Sequence, residues 1–330
     1  MKVHPINDHI FALHADIRSD DLFEGIWPIP YGVSLNCYLV KADKIALIDL
    51  VRDWVGAPNE LKSQLASLGV ALEEIDYIIL NHLEPDHTGW LREFLSINKK
   101  AIVLTTAKGA ELVKNFYFEH DRVQAVKEGD ILDLGLGQAL QFFETPNVHW
   151  PETMMTWAKE GGVLFSCDGF GSYGALGDRI FDDEISEDEH EFFEAESLRY
   201  YANIVASFGI FVKRAIEKLS SLPIRVIAPS HGIIWRANPN KIIERYLRYA
   251  DYSDGPREKE IAIIWGSMYG NTELGLKHVI EGIEEEKVPY SIHRVPDENV
   301  SFVLADAYKS EGILIAMPTY EYKMFPPMAY

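Results

Sequence analysis

Cysteine is nearly absent. Cys37 and Cys167 are the only two in 330 residues, which excludes a disulfide scaffold and suits a reducing compartment such as the cytoplasm. No run of about 18 apolar residues occurs, so no membrane-spanning helix is expected. The opening residues MKVHPINDHIFALHADIRSD hold no apolar stretch of the length a signal peptide needs. Positive charge is scarce: 31 Lys and Arg face 51 Asp and Glu, a net charge of −20. A surface of that sign repels polyanions, so nucleic acid is excluded as a partner. Internal repeats and low-complexity tracts are also missing. What remains is ample core-forming material, with 47% hydrophobic and 12% aromatic residues, which rules out bulk disorder. At roughly 100–200 residues per domain, the length predicts about two domains.

The order of segments is that of an α/β protein. FALHADI (11–17), NCYLVKADKIALIDL (36–50, with a turn near Ala42-Asp43) and YIIL (77–80) read as strands. AIVLTTA, QALQFFETP, TMMTWA, GVLFSC and IRVIAPS follow in the same style. Helices are predicted over Asn59–Leu68, Gly89–Leu95, Lys108–Phe116 and one long stretch, Asp188–Leu219. On the last, Phe192, Leu198, Ile204, Val205, Phe208, Phe211, Val212 and Ile216 recur at steps near three and four, giving one apolar face. The acidic run FDDEISEDEHEFFEAE (181–196) is expected to be a loop and a solvated first turn.

A boundary is predicted where YADYSDGPREKE turns polar around Gly-Pro, with a first domain over 1–252, a linker over 253–259 and a second domain over 260–330. The second part alternates strand, Gly-containing loop and helix: EIAIIW, then GSMYGNT, then a helix; SIHRV; a helix around Val300–Lys309; and GILIAMPTY. That βαβαβ order opens a doubly wound parallel sheet. Its last strand would be an apolar edge with no neighbour, so the expectation is a fragment or an incomplete second domain.

Chemistry concentrates at strand ends. NHLEPDHTGW (81–90) follows YIIL directly and carries His82, Glu84, Asp86 and His87 within six residues. Imidazoles and carboxylates without nearby thiolates suit Zn²⁺ or Fe, and not a structural zinc-thiolate site. Three later strands end alike: FFETPNVHW in His149, VLFSCDGF in Asp168 and VIAPSHG in His231. Such tips can converge on one sheet edge. Charge favours two ions. Two divalent cations are balanced by Glu84, Asp86, Asp168 and one bridging hydroxide, whereas one cation would be overcompensated. The remaining histidines, His4, His9, His14, His120, His190, His278 and His293, are read as ordinary surface or core residues.

His82-x-Glu84-x-Asp86-His87 with His149, Asp168 and His231 resembles the metallo-β-lactamase superfamily. Glu84, where that superfamily usually has His, and Pro28-Ile-Pro-Tyr-Gly-Val-Ser-Leu-Asn36 upstream resemble flavodiiron proteins in particular. SCDGFGSYGAL (166–176), RYYANI (199–204) and a flavodoxin-like opening at Ser267-Met-Tyr-Gly-Asn-Thr272 are similar to the same family. The resemblance implies a metallo-β-lactamase-like αββα sandwich followed by an incomplete flavodoxin-like sheet. It implies that His82, Glu84 and His149 hold one iron, that Asp86, His87 and His231 hold the other, and that Asp168 bridges them. It further implies reduction of O₂ to water or NO to N₂O, with electrons arriving through FMN. A rubredoxin or a flavin reductase would be the donor, and a head-to-tail homodimer would bring FMN near iron.

Tyr201, or its neighbour Tyr200, would donate a hydrogen bond to a reduced intermediate, as a channel Tyr does in that family, while Trp150 and Trp157 are read as packing residues. The candidate FMN residues are Ser267, Met268, Tyr269, Gly270, Asn271 and Thr272, with Pro318, Thr319 and Tyr320 after the third strand. Small hydroxyl residues and backbone amides at a helix start can cradle a phosphate without Lys or Arg. A third FMN loop would need a fourth strand, which the chain does not reach. The competing readings are a dinuclear zinc hydrolase of the same superfamily, which Glu84 and the flavodoxin-like tail disfavour, and a non-enzymatic module with a degenerate site.

Overall fold

The computed structural model describes residues 3–329. Its first sheet has seven strands in spatial order: β1 (His4–Pro5), β2 (Ile10–Ile17), β3 (Val33–Lys41), β4 (Ile45–Ile48), β5 (Tyr77–Ile79), β6 (Ile102–Thr105) and β7 (Val123–Ala125). Pairing is antiparallel from β1 to β4 and parallel from β4 to β7. The second sheet comprises β8 (Ile131–Gly135), β9 (Gln138–Glu144), β10 (Met154–Ala158), β11 (Val163–Cys167) and β12 (Val226–Pro229), ordered β12-β11-β10-β9-β8. Only the β11–β12 pair is parallel.

The two sheets share one hydrophobic core. β3, β10 and β11 are buried along nearly their whole lengths, so alternation of polar and apolar residues is lost there. Tyr38 of β3 meets Phe165 of β11 with ring centroids 5.0 Å apart, and its hydroxyl donates to the Pro229 carbonyl at 2.6 Å. Helices α1 (Ala57–Ser67), α2 (Pro85–Thr88), α3 (Leu91–Ile97) and α4 (Ala107–Tyr117) interrupt the first sheet. Helices α5 (Glu187–Tyr200), α6 (Gly209–Leu219) and α7 (Pro239–Asp251) flank β12 in sequence. The result is an αββα sandwich.

The third sheet is wholly parallel: β13 (Glu258–Trp265), β14 (Tyr290–Arg294) and β15 (Ser310–Ala316) in order β14-β13-β15, with α8 (Asn271–Glu285) and α9 (Val300–Lys309) between them. It has its own small core of Ile263, Trp265 and Leu276. Among the described residues, β15 pairs only with β13, and Ile313 and Ile315 are exposed on it. Helix α9 packs on the first body. The Arg199 guanidinium, paired with Glu196, donates to the Ser301 hydroxyl at 2.8 Å and to the Pro28 carbonyl at 2.9 Å, and lies over the Tyr173 and Phe302 rings.

Two expectations need correction. The single helix over Asp188–Leu219 is broken: α5 ends at Tyr200, a π turn spans Tyr201–Val205, a 3₁₀ turn spans Ala206–Phe208, and α6 starts at Gly209. The wider turn changes the helical phase, so the periodicity does not mark one face. Ile204, Val205 and Val212 are buried, while Phe192, Leu198, Phe208, Phe211 and Ile216 are half-buried. The acidic run is not mainly a loop either. Ser186 caps α5 in a reciprocal box with Glu189, and Glu187, Asp188 and Glu189 occupy the first turn, where acid suits the macrodipole. Helix α7 has no counterpart among the expected elements, although Asn238-Pro239 followed by Ile242, Tyr246 and Tyr249 is a start signal plus a helical stripe.

Asp182 holds this region together. It is buried, and its carboxylate accepts from the backbone amides of Arg236 (2.8 Å), Ala237 (3.0 Å) and Asn238 (2.8 Å), fixing the approach to α7. Asp182→Ala strands those amides and should cost about 3 kcal/mol in urea denaturation, with Asp182→Asn losing less. A loss under about 1 kcal/mol in the Ala variant would show that water replaces the carboxylate.

Candidate metal centre

The loops after β5, β9, β11 and β12 meet at one edge of the sandwich. After β5 the chain runs through Asn81 and His82 to Glu84, and Pro85 then opens the single turn α2, which carries Asp86 and His87. The segment after β4 clamps that turn: the amides of Leu50 and Arg52 donate to the carbonyls of His87 (2.9 Å) and Asp86 (3.1 Å). The approach is tight enough that a Cβ at Gly89 would lie 2.9 Å from the Arg52 Cα. The β9–β10 loop brings in His149, the end of β11 brings in Asp168, and the turn after β12 brings in His231.

Seven side chains converge in two groups about Asp168. On one side His82 Nε2 and His149 Nε2 lie 3.3 and 3.2 Å from Asp168 Oδ2, and Glu84 Oε2 lies 3.1 Å from His149 Nε2 and 3.3 Å from His82 Nε2. On the other, His87 Nε2 and His231 Nε2 lie 3.0 and 3.3 Å from Asp168 Oδ1, with Asp86 Oδ2 3.3 Å from His231 Nε2. A first-row cation with bonds near 2.1 Å sets neighbouring donors about 3.0 Å apart in an octahedron and about 3.4 Å in a tetrahedron. Both groups have that spacing. Asp86 Oδ1, His87 Nε2, Asp168 Oδ1 and His231 Nε2 are buried with no hydrogen-bond partner, an arrangement that cations would satisfy.

The other nitrogens of two histidines are held from behind. His82 Nδ1 lies 2.8 Å from Glu152 Oε1, and His231 Nδ1 lies 2.8 Å from the Ser34 carbonyl, so each Nε2 faces the cluster. The Pro28–Asn36 segment thereby acquires a physical role. Asn36 donates to the carbonyls of Pro229 (3.1 Å) and Gly232 (2.9 Å), and the Ser34 hydroxyl accepts from the Gly232 amide at 2.6 Å. Asp49, buried after β4, accepts from the Asn81 backbone amide at 2.8 Å and from its side chain at 3.1 Å. Sequence reasoning missed Asp49 and Glu152 as supports. Asp49 does carry a signal, since it ends an apolar strand as Asp168 does; Glu152 carries none.

The titration of the cluster reflects this crowding. Burial lowers the His231 imidazole, but the adjacent Asp168 and Asp86 carboxylates prevail and push it up to about 10. His149 likewise is pushed up to about 9, by Asp168 and Glu84 against burial. Burial raises Asp168, and the surrounding histidines more than reverse this, holding it well below the usual carboxylate range. A cavity of about 440 Å³ beside the cluster is lined by Phe23, Glu24, Ile26, Trp54, Glu84 and Asp86.

The two tyrosines need correction. Tyr200, not Tyr201, adjoins the donors: its ring centroid is 5.8 Å from that of His231, and its buried hydroxyl has no partner. Tyr201 packs instead on Tyr246, Tyr249 and Tyr308, with centroids 5.2, 5.5 and 6.1 Å away. Both residues have helical dihedrals, and successive helical positions point about 100° apart, which sends these neighbours to different surroundings. Trp150 is also closer than its packing role suggests, with its ring 5.0 Å from His82.

The candidate FMN residues lie on the third sheet. Ser267, Met268, Tyr269 and Gly270 form the turn after β13; Gly270 has φ +83°, its amide donates to the Ser267 hydroxyl oxygen at 3.0 Å, and Asn271 and Thr272 open α8. Pro318, Thr319 and Tyr320 follow β15, and Thr319–Tyr320 pair with Lys323–Met324 in a small hairpin. The loops meet where a Cβ at Gly266 would lie 3.2 Å from the Phe325 ring. The exposed turn at the start of a 15-residue helix, open around Gly270, fits a phosphate.

A two-sheet sandwich whose edge gathers donors for two cations defines a metallo-β-lactamase-like protein, and a family model described as ODP family beta lactamase matches residues 33–232. A variant of the flavo di-iron protein from Thermotoga maritima superposes with a TM-score of 0.88 at 31% identity, covering 99% of this chain and 83% of that one. The rubredoxin oxygen:oxidoreductase from Desulfovibrio gigas superposes with a TM-score of 0.90 at 28% identity, covering 99% and 80%. The chain belongs to the flavodiiron protein family. It is also 34% identical over 334 residues to an anaerobic nitric oxide reductase flavorubredoxin from Vibrio vulnificus, covering 100% of this chain and 66% of that relative. A second flavorubredoxin, from Salmonella arizonae, is 36% identical over 309 residues, 90% of this chain and 61% of the relative. The chain thus spans less than two thirds of the length of these curated relatives.

Two outcomes test the centre. Without cations, the raised histidines contribute stability fully below about pH 6.5 that is lost as pH rises through about 9 and 10, while the lowered Asp168 contributes above its unfolded value of 3.8 and is lost in acid. The melting temperature in chelator should therefore fall from pH 6.5 towards pH 10, and added metal should flatten that fall; parallel profiles would count against the cluster as the cause. Asp168→Asn should lose at least one of two bound metals by elemental analysis, because one carboxylate serves both groups, whereas His231→Ala should weaken only the Asp86–His87 side. Full retention of both metals in Asp168→Asn would contradict a bridge.

Proposed function

We propose that the chain is the catalytic core of an oxidoreductase that reduces NO to N₂O or O₂ to water at a diiron centre, with electrons passing through FMN. The observation that carries this reading is the division of seven N and O donors into two groups spanned by Asp168, with Glu84 standing where a neutral imidazole would serve a hydrolase. His82, Glu84 and His149 would hold one iron, Asp86, His87 and His231 the other, and Asp168 both. Bound iron would supply one-electron changes of valence and positions for O₂ or NO. The anionic Glu84 favours the more highly charged ferric state. Glu152 strengthens His82 as a donor. Phe23, Ile26 and Trp54 wall the cavity with apolar surface, and the Tyr200 hydroxyl, buried without a partner beside His231, is available to donate a hydrogen bond to bound substrate.

Ser267–Thr272 would bind the FMN phosphate through backbone amides, with Pro318–Tyr320 beside the ring system. The domain division at 253–259, a second copy of the chain packed head-to-tail, and a rubredoxin-like or flavin reductase donor belong to this reading. The names of the relatives support it, since one is a nitric oxide reductase flavorubredoxin and another a rubredoxin oxygen:oxidoreductase. A cytoplasmic site agrees with two free, buried cysteines, and no helix among the described residues is long and apolar enough to cross a membrane. A zinc hydrolase and a degenerate binding module are not favoured by these relatives or by the complete donor set.

Anaerobic purification after iron-rich expression should yield two irons per chain, and the reduced protein should consume NO or O₂ stoichiometrically. Tightly held zinc with ester or phosphodiester turnover, and no NO or O₂ consumption, would overturn the proposal.

A further inference from the structure

Six of the buried or half-buried tyrosines form one connected cluster between the metal centre and the protein surface. It starts at Tyr200, beside His231. The contact continues through Gly171: a Cβ there would lie 3.1 Å from the Tyr200 ring, and the Gly171 carbonyl accepts from the Tyr246 hydroxyl at 2.8 Å. Tyr246 touches Tyr201 and Tyr249, with centroids 5.2 and 5.9 Å away. Beyond these, Tyr249 meets Tyr252 at 6.3 Å, Tyr201 stacks on Tyr308 at 6.1 Å, and Tyr308 meets Tyr252 at 5.9 Å. The six residues come from α5, the π turn, α7 with its C-cap, and α9. Helical periodicity on a single element would not produce the cluster; the docking of α9 completes it.

The hydroxyl partners are unequal. Tyr200 and Tyr201 have none. Tyr246, Tyr249 and Tyr308 donate to backbone carbonyls, of Gly171, Glu194 and Tyr249 respectively, which accept a hydrogen bond but do not take a proton. Tyr252 alone among the six donates to a carboxylate, that of Glu258. A tyrosine gives up an electron readily only when its proton has a base to go to, so Tyr252 is where an oxidising equivalent settles. Tyr252 and Glu258 also line a groove of about 410 Å³ that opens to solvent.

We propose that this cluster is an escape route for oxidising equivalents, a function that rests on the diiron reading above. When O₂ or peroxide has oxidised the metal pair beyond the ferric state and its electron supply fails, one electron passes inward along the tyrosines to the pair. Tyr252 loses that electron and transfers its hydroxyl proton to Glu258, leaving a Tyr252 radical, a neutral Glu258 and a metal pair reduced by one electron. A solution thiol reaching the groove returns a hydrogen atom to Tyr252 and becomes a thiyl radical, and Glu258 releases its proton to water. The metal ligands are thereby spared oxidation.

The test uses the iron-loaded chain, reduced and then mixed with excess O₂ without a donor, followed by freeze-quench EPR and peptide mapping after radical trapping. Wild type should give a tyrosyl radical trapped at Tyr252. Tyr252→Phe, at the outer end, should abolish trapping there and lengthen the life of any radical left inside. Tyr246→Phe, at the neck, should lower the radical yield and raise oxidation of ligand histidines several-fold. Glu258→Gln should cut trapping at Tyr252 while leaving iron content unchanged, which a merely structural role would not do. Oxidation of the iron pair with no tyrosyl radical in wild type overturns the relay alone; failure of the chain to bind iron, or of bound iron to be oxidised, overturns the diiron reading and the relay together.

Discussion

The architecture depends on the Asp168 carboxylate, buried between two pairs of imidazoles. Glu84 and Asp86 stand in the same small volume, so three carboxylates crowd where water is largely excluded. Such a group is tolerable only if positive charge compensates it, whether from protonated histidine or from cations. The preference for charge balance is visible in both directions, with His149 and His231 raised and Asp168 lowered. The four loops that carry these residues are therefore pulled towards one point, and the sandwich edge has its shape because they meet there.

Electrostatics alone would not aim the nitrogens. That is the work of groups behind them, each from a different part of the chain. Ser34 and Asn36 on β3 grip the turn that bears His231, nearly two hundred residues later in sequence. Glu152 binds both His82 Nδ1 and the Leu83 amide. Asp49 fixes Asn81, which in turn accepts from the second sheet, at its side-chain oxygen from the Thr156 hydroxyl and at its carbonyl from the Met154 amide. These contacts join the two sheets at the site, so a change in their packing would move the donors as well.

The end of α5 extends the site's influence outward. Successive helical residues point about 100° apart, so Tyr200 turns to His231 while Tyr201 sits among Tyr246, Tyr249 and Tyr308. The same region receives α9 through Arg199, Asn203 and Ser301. Arg199 also holds the Pro28 carbonyl and lies on Tyr173, which touches both Phe23 and Tyr200. The third sheet, the cavity wall and the tyrosine beside the donors are thus held by one buried guanidinium.

Much of this was legible in the residues themselves. Apolar strands that end abruptly in His, Asp or Glu announce a site, because burial makes such side chains costly unless something binds them, and all seven donors were named on that ground and by family resemblance. The parallel pairing of the third sheet followed from its alternation with helices. The rest needed three dimensions. Glu152 and Asp49 are ordinary acids until the fold sets them behind His82 and Asn81, because a hydrogen bond across sheets has no sequence period. Asp182 looked like part of a solvated acidic loop until its carboxylate met the amides before α7. Tyr200 and Tyr201 are neighbours of the same type, and only the way α5 docks on the sandwich decided which one faces the metal centre. Local chemistry is written residue by residue, whereas orientation depends on contacts between segments far apart in the chain, and that is where sequence stops and tertiary structure decides.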